Sequence, residues 1–158
     1  MSPVLFDTVT EGRAAFDTLF ATTQRELVMY DQDLDGYALD ELARHTALRA
    51  FCVAGEGRRI MLLLDNVQRV VSHHPRLMQL VREFGHVLEI RLCNTDIPLP
   101  EQAFVISDHA GVLRRVDKSV TRGSMTLHDP LTARQLRQEF ATHWQRGLAQ
   151  VSATTLGL

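Results

Sequence analysis

Apolar positions recur along this chain at two alternating spacings, one helical and one strand-like. From Glu11, "EGRAAFDTLFATTQ" places Ala15, Phe16, Leu19 and Phe20 on one helical face, with Thr10 the expected N-cap. "ELVMYD" follows as a short apolar strand. "ALDELARHTALRAFCV" then repeats Leu39, Leu42, Ala43, Ala47, Leu48 and Phe51 at three- and four-residue intervals, predicting a second helix that starts near Tyr37. The unbroken run "RRIMLLLD" fits a strand buried on both faces. "SHHPRLMQLVREFG" predicts one helix, with Ser72 as N-cap, Pro75 in the first turn and Gly85 at the C-terminal end. "HVLEIRLCN" alternates as a strand, and "AFVISD" and "VLRRV" flank the turn "DHAG" as a hairpin. "DPLTARQLRQEFATHWQRGL" closes the core as a helix, with Asp129 capping, Pro130 at the first position and Leu136, Phe140, Trp144 and Leu148 spaced by four.

Three β–α repeats followed by a hairpin and a long helix imply an α/β fold. The expected sheet is mixed and mainly parallel, with a C-terminal β-hairpin and helices on both faces. One domain is expected over residues 1–150, with 151–158 a tail that is either loose or docked on a partner. The 158 residues are 45% hydrophobic and 23% charged, enough to bury a sizeable core. With 17 Lys and Arg against 19 Asp and Glu, the net charge of −2 supplies no global positive field, so nucleic acid is not the expected partner. Cys52 and Cys93 stand far apart without metal-ligand spacing, so neither a disulfide framework nor zinc is indicated. Both suit small buried hydrophobes. No apolar run reaches the roughly 18 residues of a membrane span, and "MSPVLFDTVTEGR" lacks a signal-sequence pattern. A cytoplasmic protein without membrane contact is expected.

The stretch "AFVISDHAGVLRRVDKSVTRGSMTLHDPLTARQLRQEFATHW" resembles the second half of a phospholipase D (PLD) superfamily domain. In that family a strand carries H-x-K-x4-D, then come a hairpin, a G-S-x-N turn and a helix ending F-x3-W. Asp108 falls on the family aspartate, Gly123 and Ser124 on the G-S pair, and Phe140 with Trp144 on the terminal helix. Counting back from Asp108, the nucleophilic histidine is replaced by Glu101 and the phosphate-binding lysine by Ala103, while Thr126 replaces the asparagine. Attack on phosphorus needs an imidazole, and the developing charge needs cations. The resemblance therefore implies a single PLD-like half-domain with a degenerate HKD motif, a non-catalytic module for a ligand or protein. Active relatives pair two half-domains, so it also implies a homodimer. No cofactor is implied.

Other residues offer candidate chemistry. Asp108, His109 and Ser124 are the candidates for a relocated catalytic site, with Arg122 as cation; such a site would make the chain a phosphodiesterase or phosphotransfer enzyme. Adjacent strand residues point to opposite faces, which weighs against Asp108 and His109 converging. His73, His74 and His128 fit solvent-facing positions near helix starts. Glu101, Asp108, Arg122, Gly123 and Ser124 are the candidate ligand-binding set. Within it "TRGSMT" could form an anion-binding nest, and Arg114, Arg115 and Lys118 add local positive charge. "DQDLDG" opens like an EF-hand loop, which makes Asp31, Asp33 and Asp35 candidate metal ligands. The twelfth position is Leu42 rather than glutamate, and a strand precedes the loop, so acids satisfying backbone donors are the favoured alternative.

Overall fold

The computed structural model describes residues 2–148 and 150–151. Strands β1 (Val4–Phe6), β2 (Glu26–Asp31), β3 (Arg59–Leu64), β4 (Leu88–Leu92), β5 (Ala103–Ser107), β6 (Gly111–Arg115), β7 (Gly123–Thr126) and β8 (Gln150–Val151) form one sheet. Its order is β1-β7-β6-β5-β2-β3-β4-β8. The helices are α1 (Val9–Ala21), α2 (Leu42–Ala54), α3 (Gln68–His73), α4 (Pro75–Glu83) and α5 (Pro130–Gln145). The sheet is mixed, as expected, but parallel pairing is confined to β2 with β3 and β3 with β4. The five other pairings are antiparallel, because β5, β6 and β7 extend the hairpin and β1 and β8 add reversed edges.

Alternation along each strand divides the core. Leu27, Met29, Leu62, Leu64, Ile90, Val105 and Leu113 pack against α1, α2 and α4. Val28, Tyr30, Leu63, Phe104, Ile106 and Val112 pack against Ala133, Leu136, Phe140 and Trp144 of α5. Helices therefore cover both faces. Phe140 and Trp144 are core anchors on α5, their rings 5.4 Å apart. Leu148 lies beyond the helix and is half exposed.

Several boundaries depart from expectation. The N-cap of α1 is Thr8 rather than Thr10; its hydroxyl accepts from Glu11 N at 3.1 Å, and the Glu11 carboxylate accepts from Thr8 N. The second helix starts at Leu42, after a short 3-10 helix at Asp35–Tyr37. Leu34 and Ala38 have positive φ, which reverses the chain and keeps Leu39 buried outside the helix. The segment expected as one helix is two. Ser72 lies inside α3, and His74, at φ −124 and ψ 59, breaks the helix before Pro75. Strands β1 and β7 were not foreseen. Of the tail, Gln150–Val151 pairs with β4, and 152–158 lie outside the described residues.

Candidate functional site

One end of the sheet gathers most of the buried polar chemistry. It is made by the carboxyl ends of β2, β3 and β4, the amino end of β5 and the carboxyl end of β6. Two neighbouring parallel strands end in aspartate there, Asp31 at the end of β2 and Asp65 just past β3. Each carboxylate meets a cation.

On the α1 side, Arg115 pairs with Asp31, whose exposure is only 3%. The same guanidinium donates to the carbonyls of Lys118 (2.9 Å) and Val120 (2.8 Å), so it fixes the loop that follows β6. The other Asp31 oxygen accepts from Leu34 N at 2.8 Å and Asp33 N at 3.3 Å. Burial pushes the Asp31 carboxyl up, against the pull of Arg115 and these N–H groups. Tyr37 is buried beside the pair, and its hydroxyl has no hydrogen-bond partner among the described residues. A cavity of about 40 Å³ lies between Phe6, Gly12, Gly36, Tyr37, Leu113 and Arg115. Such a volume has room for a few water molecules.

On the α5 side, Lys118 Nζ donates to Asp65 Oδ2 at 2.6 Å and to Tyr30 Oη at 2.7 Å. Tyr30 in turn donates to Asp65 Oδ1 at 2.5 Å. Burial and the Asp65 carboxylate hold the Tyr30 phenol protonated, well above its ordinary range. Burial, reinforced by Asp65, likewise pushes the Cys93 thiol up to about 12. Neither group is an activated nucleophile.

Of the residues singled out in the sequence, Asp31, Arg115 and Lys118 meet in this cluster and Glu101 borders it, whereas Asp108 and His109 lie at the other end of the sheet. Glu101 stands exposed at this end, where its carbonyl accepts from Lys118 N at 2.9 Å, and Ala103 is fully buried. Asp108 sits at the opposite end of β5. There its carboxylate accepts from the backbone N–H groups of Gln24 (3.0 Å), Arg25 (2.8 Å) and Glu26 (3.0 Å), tying the hairpin to the start of β2. Burial opposes ionisation of Asp108, yet these three donors outweigh it and hold the carboxyl below its ordinary value. Its φ of 53° is the left-handed turn conformation. His109 is exposed in that turn and His128 is exposed after β7, whereas His74 is buried with Nδ1 3.2 Å from the Arg69 carbonyl. Gly123 and Ser124 belong to strand β7 rather than to a nest-forming turn. A Cβ on Gly123 would stand 2.5 Å from both the Arg114 carbonyl and the Phe6 ring, so glycine is required by the close approach of β6, β7 and β1. Arg122 is exposed just ahead of β7.

The acidic loop splits its roles. Asp31 and Asp33 accept from loop N–H groups, Asp33 from Asp35 N at 3.0 Å, and Asp35 pairs with Arg69 at 3.3 Å. No group of three or more metal-ligating side chains occurs among the described residues. Tyr30, Tyr37, Asp65 and the pairing of Arg115 and Lys118 were not singled out from sequence. Their signal was available: "ELVMYD" and "RRIMLLLD" both end in aspartate, at the strand ends where an α/β fold places ligands.

Comparison with known proteins then places the chain. A family model described as a domain of unknown function, DUF7931, matches residues 8–156. The chain belongs to the DUF7931 family. No curated protein matches the sequence. Among solved structures the DUF7931 chain is similar to Nuc, a phospholipase D family member from Salmonella typhimurium (TM-score 0.60, 12% identity, 96% of this chain and 99% of that one). It is equally similar to NucT from Helicobacter pylori (TM-score 0.60, 12% identity, 94% and 98%). TrmBL2, an archaeal chromatin protein whose structure shows a novel mode of DNA binding, matches with TM-score 0.66 and 12% identity over 93% of this chain. The DUF7931 chain spans about half of TrmBL2, 54%. The fold is phospholipase D-like. Among the described residues no helix is long and apolar enough to cross a membrane.

Proposed function

We propose that this chain is a non-catalytic PLD-like module that binds a ligand or a partner protein, its HKD motif being degenerate. The observation that carries this is the closed cluster at the carboxyl end of the sheet, where Arg115 and Lys118 are both committed to internal carboxylates. Cations that hold phosphoryl oxygens must be available to the substrate. None of the seven histidines shares a hydrogen bond or ion pair with the cluster among the described residues. The alternative enzyme, built on Asp108, His109, Arg122 and Ser124, finds no support in their placement, since Asp108 and His109 cap the far end of the sheet from Gly123.

Hydrolysis of bis(p-nitrophenyl) phosphate tests the proposal. No turnover above buffer is expected at pH 5–8, and turnover abolished by His109→Ala would sink it. A homodimer is proposed on the PLD-like fold alone. Light scattering on a sizing column is expected to give twice the 17.9 kDa chain mass. Nucleic acid is a second reading, favoured only by the likeness to TrmBL2 and opposed by the net charge of −2. DNA retention that falls steeply with salt would establish it.

A further inference from the structure

The two faces of the β1-β7-β6 end of the sheet are treated differently. One row of cross-strand partners runs Leu5, Ser124, Arg114, Phe104, Tyr30, Leu63 on a single face. Phe104, Tyr30 and Leu63 of that row pack with the α5 residues, whereas Leu5 is 75% exposed and Ser124 and Arg114 are partly exposed. On the opposite face of the same strands, Phe6, Leu113 and Met125 are buried with α1. The loop after β6 adds Val116, 69% exposed, and Val120 to the rim of a groove of about 380 Å³. Arg114, Asp117, Arg122, Gly123 and Ser124 complete its lining. Neither Arg114 nor Arg122 makes a hydrogen bond or ion pair among the described residues, in contrast to the Arg115 and Lys118 beside them.

We infer that this bare end of the sheet docks an extended peptide segment of a partner protein that combines aliphatic residues with carboxylates. The inference rests on the non-catalytic reading above. Charge complementarity selects an anionic occupant, and the exposed Leu5, Val116 and Val120 select aliphatic side chains. Nucleic acid fits less well: no aromatic side chain lines the groove to stack a base, and Asp117 stands beside only two arginines. A twofold-related copy centred here would set arginine against arginine.

Selection of a random decapeptide display library on the immobilised full chain tests the assignment. Enriched sequences are expected to pair Asp or Glu with Val, Ile or Leu. Their retention is expected to fall more than tenfold on the double variant Arg114→Glu and Arg122→Glu and to fall in part on Arg122→Glu alone, whose exposed side chain leaves the melting temperature unchanged. Absence of enrichment, enrichment of basic or aromatic sequences, or retention indifferent to the double variant each overturns the docking surface. DNA retained by wild type and lost by the variant replaces the peptide with nucleic acid. Diester turnover by wild type would overturn the non-catalytic reading, whatever the library returns.

Discussion

Replacing Arg115 by glutamine strands the Asp31 carboxylate in a site where 3% of the residue meets solvent. Removing one partner of a buried pair costs about 3–5 kcal/mol, because the remaining charge has lost its counterion. Chemical denaturation should show that loss at pH 7. Burial already raises the Asp31 carboxyl in the folded chain, so the native state holds its proton more tightly than the unfolded one. That group therefore disfavours folding at neutral pH and less so on acidification, as it protonates. Without Arg115 the rise is larger, and the deficit of the variant against wild type should shrink as pH falls from 7 toward 5; a constant deficit would contradict the assignment. Asp108 behaves in the opposite sense. Its folded value is depressed by three backbone donors, so its contribution is present above the ordinary value of 3.8 and is lost as pH falls through the folded value. Asp108→Asn keeps the left-handed turn accessible but weakens the acceptor. It should cost about 1–2 kcal/mol at pH 7, on the low side because solvent screens the partly exposed group. Urea midpoints of variant and wild type should draw together below about pH 4.

At the level of elements, Gly123 fixes how β6, β7 and β1 lie against one another. Gly123→Ala drives a methyl into the Arg114 carbonyl and the Phe6 ring, both at 2.5 Å, and backbone cannot swing aside as a side-chain tip can. A loss of about 1–3 kcal/mol is expected, read as a lower urea midpoint at unchanged slope. The same three-strand edge shows where sequence patterning runs out. "ELVMYD", "RRIMLLLD" and "AFVISD" are long enough for periodicity to register, and their strands match the runs closely. Strand β1 has three residues and β7 four, with Gly123 opening the latter, so neither presents two full alternations. Caps failed for a related reason. Thr8 and Thr10 both precede the apolar face of α1, and only the reach of Glu11 back to Thr8 N decides between them. The single helix expected from Ser72 is broken by the backbone of His74 ahead of Pro75, a restriction legible in the dipeptide. The candidate site was less legible than the fold, because its pairs join residues 84 apart (Asp31 and Arg115) and 53 apart (Asp65 and Lys118).

Across the whole molecule, the register of the sheet determines whether PLD-type chemistry could be built into it. Ala103 lies directly opposite Arg115 in an antiparallel pair, so their side chains share one face at a backbone separation of about 5 Å. The arginine on β6 thus points into the space that a lysine on β5 would use, and Asp31 already neutralises it. Placing histidine and lysine at positions 101 and 103 would bury a second cation against the first, since Ala103 has no solvent exposure. The double variant Glu101→His with Ala103→Lys is therefore expected to melt at least ~4 °C lower than wild type, the equivalent of 1–2 kcal/mol in a chain of this size. It should also fail to hydrolyse bis(p-nitrophenyl) phosphate. The added imidazole would find Lys118 and Arg115 still engaged by Asp65 and Asp31, with neither cation presented to a phosphoryl oxygen. A variant that folded with undiminished stability and turned over the diester would show that the ion pairs yield to substrate. The closed cluster would then be compatible with catalysis, against the proposed non-catalytic reading.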